Sequence, residues 1–174
     1  MTPVTAWRIL IAKKFGLQNT TQLARACREA GVPFYVACAL MEQESGGRNT
    51  YGHDRGAERP GEVVTAMNFL PFLVRVMNGA LSNGVGPCQI TYAGSLKNGH
   101  RDGGYFRLML EQGLRPWAPY DNMLFGLRIL AGHRKANLAR DTSWVTAGRL
   151  YNGRESYGRE LQAKVDAWKK RLRA

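Results

Sequence analysis

The fold is decided by residues 33–47, which read PFYVACALMEQESGG. Pro33 suits the first turn of a helix, because its missing N–H would have no intrahelical partner there. Gly46 and Gly47 are typical of a helix end. The stretch therefore predicts a strongly apolar helix over about 33–45.

Glu44 lies on the apolar face of this predicted helix. Ala37, Leu40 and Met41 precede it by seven, four and three residues, and these spacings place the four side chains together. A carboxyl at the end of an apolar stripe is partly desolvated, which raises its pKa and suits a general acid. By helical position alone, a helix-end glutamate that extends into water is the commoner case.

The rest of the chain is also predicted to be mainly α-helical, in a single domain over 1–174 without long Pro/Ser linkers. Further helices are predicted over 5–15, 21–30, 62–78, 104–112, 122–139, 143–151 and 157–172. Thr5, Asp121 and Ser156 are the predicted N-caps. Residues 48–62 are predicted to form a loop, with a short hairpin as the alternative, and 79–104 an irregular segment.

The chain is strongly basic. It has 174 residues, with 25 Lys and Arg against 13 Asp and Glu, and its net charge is +12. Such a balance favours a polyanionic partner, which is a nucleic acid, an anionic membrane or an acidic wall polymer.

Several classes of protein are excluded by the sequence pattern. No stretch approaches the roughly 20 apolar residues of a membrane span, and 6–12 lacks the order of a secretory signal peptide. Three cysteines are too few for a disulfide scaffold. His-Glu-x-x-His and Cys-x-x-Cys spacings are absent, so neither a metal site nor a cofactor is expected.

Three short motifs carry a resemblance to a known family. Residues 40–47 (LMEQESGG) resemble the Glu-Ser motif of lytic transglycosylases and goose-type lysozymes. Residues 84–90 (GVGPCQI) resemble the Gly-rich glutamine loop of that superfamily, and 150–153 (LYNG) its Tyr-Asn-Gly element. The resemblance implies a lysozyme-like fold of about seven helices, with at most a small β-hairpin beside a sugar cleft.

The resemblance also implies roles for individual residues. Glu44 would be the catalytic acid, and the ring of Tyr151 would close on its carboxyl. The other residues expected to bind substrate are Ser45, Tyr51, Gly86, Gln89, Ile90 and Asn152.

A second carboxylate is implied less directly. Asp54 lies in a Gly-His-Asp-Arg-Gly setting similar to one in goose-type lysozymes, where an aspartate positions the attacking water. An inverting hydrolase places its two carboxyls roughly 6.5–9.5 Å apart. The alternative for Asp54 is a turn residue that caps its own backbone or pairs with Arg55. Glu58 and Glu62 are the reserve candidates, and the extra segment 55–83 either covers the core or extends the cleft.

The resulting hypothesis is a muramidase that hydrolyses the β-1,4 bond between N-acetylmuramic acid (MurNAc) and N-acetylglucosamine (GlcNAc) in bacterial peptidoglycan. The chain is most similar to a phage endolysin domain, made in the host cytoplasm, released through a holin-type pore and monomeric. Anionic wall polymers are possible further partners, and neither specific nucleic-acid binding nor membrane insertion is expected. Thr91 stands where goose-type enzymes carry a second aspartate, which favours the alternative of a lytic transglycosylase that forms 1,6-anhydroMurNAc.

A helix-turn-helix DNA-binding protein is the alternative from another class. Residues 21–33 followed by a helix have that pattern, and the positive charge would serve phosphate contacts. Against it, residues 34–41 are too apolar for a recognition helix.

Overall fold

Helix α3 (Phe34–Glu44) is buried along most of its length. In the computed structural model, which describes residues 4–92, 96–97 and 100–173, every side chain from Val36 to Met41 is fully inaccessible to solvent. Helices α2 (Thr20–Glu29) and α8 (Glu155–Arg171) pack against it. The apolar run therefore forms the helix that the rest of the chain covers.

The mainly α-helical fold class is confirmed. Within the described ranges there are eight helices, one for each predicted helical segment and one more than the seven or so that the family resemblance implies, and one antiparallel pair of two-residue strands. The remaining elements are α1 (Ala6–Lys14), α4 (Ala66–Met77), β1 (Leu96–Lys97), β2 (His100–Arg101), α5 (Gly104–Glu111), α6 (Pro119–Asn137) and α7 (Val145–Asn152). None of the helices in the described residues is long and apolar enough to cross a bilayer.

Two of the three predicted helix caps are wrong. Thr5 caps α1 by accepting a hydrogen bond from the backbone N–H of Arg8. Asp121 lies inside α6, because Pro119 already fits the first helical position. The Asp121 carboxylate instead accepts a hydrogen bond from the Arg115 guanidinium at 2.8 Å. Ser156 is the second residue of α8 and not its cap.

The extra segment 55–83 covers the core. Its helix α4 buries Phe69, Phe72, Leu73 and Val76, while Met67, Leu70 and Val74 stay exposed. The buried rings pack on aromatic residues from other parts of the chain. These ring pairs are Tyr51–Phe72 at 4.9 Å, Phe69–Phe106 at 5.3 Å and Phe69–Trp117 at 5.6 Å between centroids.

The loop 84–90 is held from several sides. Val85 bridges to Ile90 within the loop and to Tyr51 in the preceding segment. Asn122 of α6 is fully buried beneath it, with Nδ2 donating to the Val85 carbonyl and Oδ1 accepting from the Cys88 N–H, both at 2.9 Å. A Cβ on Gly86, whose φ is 71°, would lie 2.7 Å from the Asn122 side chain. The loop conformation therefore depends on Asn122 and on the absence of a side chain at position 86.

Asn122→Ala should lower the free energy of unfolding by about 2–4 kcal/mol, because a buried N–H and a buried carbonyl lose their partner. Urea denaturation followed by circular dichroism measures this change. Asn152→Ala, at an exposed position, is the control and should change stability by less than about 0.5 kcal/mol. Equal stability of the two variants would contradict this account of the loop.

Candidate active site

Glu44 is the last residue of α3, and its side chain is partly accessible. The hydroxyl of Tyr157, in the first turns of α8, donates a hydrogen bond to its Oε1. Tyr157 itself is buried, with 3% of its surface exposed. One side of the Glu44 carboxyl therefore contacts protein, and the rest of the side chain is partly accessible to solvent.

Burial raises the pKa of Glu44 to about 7, from an ordinary value of 4.5. The Tyr157 hydroxyl and the positive charge of Arg154 lower the pKa, and the negative charge of Asp54 raises it. Desolvation outweighs the two lowering effects. Near neutral pH a large share of Glu44 therefore holds a proton, as a general acid must.

Glu42, only two residues earlier, has a different environment. Its Oε2 accepts hydrogen bonds from Trp168 Nε1 at 2.6 Å and from the Arg171 guanidinium at 2.9 Å. Glu42 faces away from Glu44, as the helical spacing predicts, and it attaches α3 to the end of α8. Glu42 is therefore part of a structural ion pair, whereas Glu44 is a partly desolvated acid.

Two tyrosines stand beside Glu44 in a stack. The rings of Tyr151 and Tyr157 lie 6.4 Å apart between centroids and within 20° of parallel. The Tyr151 hydroxyl donates to the Cys88 carbonyl at 2.9 Å. The hydroxyl that contacts the carboxyl is therefore that of Tyr157, and closure of the Tyr151 ring on Glu44 stays a prediction.

Gln89 and Asp54 bring two oxygen atoms to one side of Gly52. Both amide protons of Gln89 are used, in hydrogen bonds to the carbonyls of Gly86 at 2.8 Å and Thr50 at 3.2 Å. A Cβ on Gly52 would lie 2.8 Å from Asp54 Oδ2 and closer still to Gln89 Oε1. A ligand would meet an acceptor pair here, an amide oxygen and a carboxylate.

Asp54 is the candidate second carboxylate that acts on Glu44, because its charge raises the pKa of that residue. It is exposed, and its Oδ2 accepts the Gly84 N–H at 2.6 Å. The reserve candidates form ion pairs instead, Glu58 with Arg75 at 3.0 Å and Glu62 with Arg59 at 2.7 Å.

The other residues predicted to bind substrate differ in their exposure to solvent. Ser45, Tyr51, Gly86 and Ile90 are buried and support the site from within. Ser45 Oγ donates to the Pro87 carbonyl at 2.8 Å and so fixes the loop to α3. Asn152 is exposed, and its Oδ1 accepts from Arg154 Nε at 2.8 Å.

The described residues contain no group of three or more His, Cys, Asp or Glu side chains arranged to hold a metal ion. The helix that a helix-turn-helix protein would insert into DNA is α3, whose side chains from Val36 to Met41 are inaccessible. The α2–α3 pair therefore has no free recognition helix.

Comparison of the chain with protein-family models, curated proteins and solved structures finds no match. The lysozyme-like fold and the family resemblance therefore stay predictions.

Sequence reasoning missed Tyr157, Arg154 and Asn122. Tyr157 begins the buried stripe of α8, which continues through Leu161, Val165 and Trp168 at helical spacing. This apolar pattern in the sequence would have predicted that Tyr157 lies on the buried side of α8. The polar tip of such a residue needs a partner when it is buried.

Tyr157→Phe should raise the pKa of Glu44 above about 7, since it removes a hydrogen bond that stabilises the carboxylate. A ¹³C NMR titration of the glutamate side chains measures the shift. Tyr151→Phe is the matched control, because its hydroxyl bonds to Cys88 and not to Glu44. An unchanged midpoint in Tyr157→Phe would contradict the assigned contact.

Glu44→Gln should stabilise the protein increasingly as the pH rises from 5 to 8. The folded-state pKa lies above the ordinary value of 4.5, so the proton on Glu44 favours the folded state below pH 4.5. The wild-type protein loses this stabilisation of the folded state as the pH rises through about 7. The Glu44→Gln variant keeps its stability, because glutamine has no proton to lose. Melting temperatures of both proteins across this range test the sign. The same trend in Glu58→Gln, an exposed control, would refute it.

Proposed function

We propose that this protein cleaves the glycan strands of bacterial peptidoglycan at the β-1,4 bond between MurNAc and GlcNAc. The observation that carries the proposal is the carboxyl of Glu44, held at the end of a buried helix with a pKa of about 7 and within the electrostatic influence of Asp54. Glycoside cleavage needs such a proton donor and a second group that handles the nucleophile.

In the proposed reaction Glu44 donates its proton to the glycosidic oxygen as the bond to the muramic C1 breaks. Tyr157 holds Oε1, which restricts the carboxyl to one orientation. The leaving GlcNAc takes the proton as its 4-hydroxyl, and Glu44 becomes the carboxylate. The positive charge of Arg154 favours that product state.

For hydrolysis, Asp54 accepts a proton from the water that attacks C1. The backbone N–H of Gly84 holds one oxygen of this carboxylate and leaves the other for the water. Gln89 Oε1, beside it across Gly52, can accept a hydrogen bond from a substrate N–H or hydroxyl.

Transglycosylation is the second candidate, and Thr91, which stands where goose-type lysozymes carry a second aspartate, favours it. In that reaction the muramic 6-hydroxyl attacks C1, and the Glu44 carboxylate takes the hydroxyl proton. The product is a 1,6-anhydro end, and a single glutamate serves as acid and then as base. The net charge of +12 suits an anionic wall in either case, with attraction that weakens as salt is added. We propose the setting of a phage endolysin acting as a monomer.

Mass spectrometry of the sugars released from purified peptidoglycan tests the proposal. The wild type should release muropeptides, and Glu44→Gln should reduce the rate by about 100-fold or more, the usual contribution of a general acid. Glu42→Gln, which neutralises a glutamate two residues away, is the matched control and should retain cleavage. Wild-type protein that releases no sugar from walls of several compositions would refute the proposal.

The chemical form of the muramic end separates the two reactions. Reducing ends that decline by about 100-fold in Asp54→Asn indicate hydrolysis with Asp54 as the base. This variant removes the charge while an amide oxygen can still accept the Gly84 N–H. Anhydro ends, or full activity of Asp54→Asn, would remove Asp54 from the mechanism.

A further inference from the structure

A cavity of about 510 Å³ lies at the opposite end of α3 from Glu44, about 15 Å along the helix axis. Its volume is in the range of ordinary ligand sites. The lining comes from the start of the described chain, the end of α2, the first turn of α3 and the end of α8. The lining includes Val4, Arg8, Arg28, Phe34, Lys169 and Arg173.

The charges around this cavity have one sign. Four of its lining residues are cationic, namely Arg8, Arg28, Lys169 and Arg173, and none is acidic. None of the four forms an ion pair with an acidic side chain of the described residues. Burial raises the pKa of the Cys27 thiol to about 11, so it adds no negative charge at neutral pH.

The rest of the lining is apolar. Val32, Phe34 and Leu172 supply buried hydrocarbon surface, and the ring of Tyr35 lies 5.7 Å from Lys169 Nζ. Cations beside an apolar space match a molecule with an anionic head and a hydrocarbon chain. An inorganic anion alone would leave the apolar part unused.

Helix α1 presents exposed apolar side chains next to the cavity. Trp7 and Leu10 are 60% and 59% exposed and lie one turn apart, while Val4 and Arg8 of the same segment line the cavity. Lys14 lies two turns beyond Trp7. Tryptophan, leucine and lysine together are typical of a helix that rests on an anionic bilayer surface.

We infer that this cavity and the exposed side of α1 form a binding site for an anionic phospholipid in a membrane surface. The phosphate contacts the four cations, and part of an acyl chain occupies the apolar lining. The inference is independent of the proposed wall cleavage, because it uses no residue of the Glu44 site.

Co-sedimentation with vesicles of phosphatidylglycerol and phosphatidylcholine (3:7) in about 0.15 M NaCl tests the inference. The wild type should bind these vesicles with a blue shift of Trp7 fluorescence that Trp7→Phe lacks, and should not bind pure phosphatidylcholine. Each cation near an anionic membrane surface raises the binding constant about 5-fold. The double variant Arg8→Gln/Arg28→Gln should therefore bind the vesicles about 25-fold more weakly. Lys135→Gln/Arg140→Gln, with the same loss of charge outside the cavity, should change binding by less than about 3-fold, since salt screens distant charges.

A second pair of variants tests the apolar part. Val4→Asp should lose vesicle binding, and Val4→Leu should retain it, with equal melting temperatures showing that both are folded. Equal binding by the two double variants, or displacement from vesicles by millimolar inorganic phosphate, would overturn the lipid site. Tight binding to duplex DNA that the Arg8/Arg28 variant loses would assign the cations to nucleic acid and would also overturn it.

Discussion

Burial of α3 on all sides constrains everything else in this structure. A helix with no solvent face along Val36–Met41 leaves its polar residues only at its C-terminal end, and there the chain places Glu42, Gln43 and Glu44 in succession. The hydrophobic gain from burying the helix carries Gln43 and Glu44 into partly buried positions, while Glu42 stays exposed. Their protonation and pairing are then decided by what the neighbouring helices offer.

Helix α8 offers different groups to the two glutamates. Its C-terminal half presents Trp168 and Arg171 to Glu42, and its N-terminal end presents a neutral hydroxyl to Glu44. The guanidinium and the indole N–H stabilise the ionised form of Glu42. At Glu44 the single hydrogen bond from a phenol does not offset the cost of desolvating the carboxylate, so its pKa is raised. Glu42 and Glu44 are about half a helical turn apart, and both contact α8. Glu42 forms an ion pair that joins the two helices, whereas Glu44 is a partly desolvated carboxyl.

The sequence predicted those features that depend on local spacing. The helix predicted over about 33–45, which the structure has over 34–44, its end before Gly46 and the orientation of Glu44 on its apolar side follow from periodicity and glycine chemistry. The caps at Asp121 and Ser156 failed because Pro119 and Glu155 start their helices earlier than the apolar pattern does. Tyr51 was predicted to bind sugar, and its burial under Phe72 depends on a helix that lies far along the chain. The Tyr157 contact spans 113 residues, and local spacing carries no information at that separation.

Several contacts around Glu44 join residues that lie far apart in the sequence. Ser45 bonds to Pro87 across 42 residues, Tyr151 to Cys88 across 63, and Tyr157 to Glu44 across 113. Contacts so distant in sequence require large loops to close, which costs conformational entropy. Nascent chains, truncated chains and locally unfolded chains therefore lack the acid in its assembled setting. The environment of Glu44 therefore depends on the tertiary structure of the chain from α3 to α8.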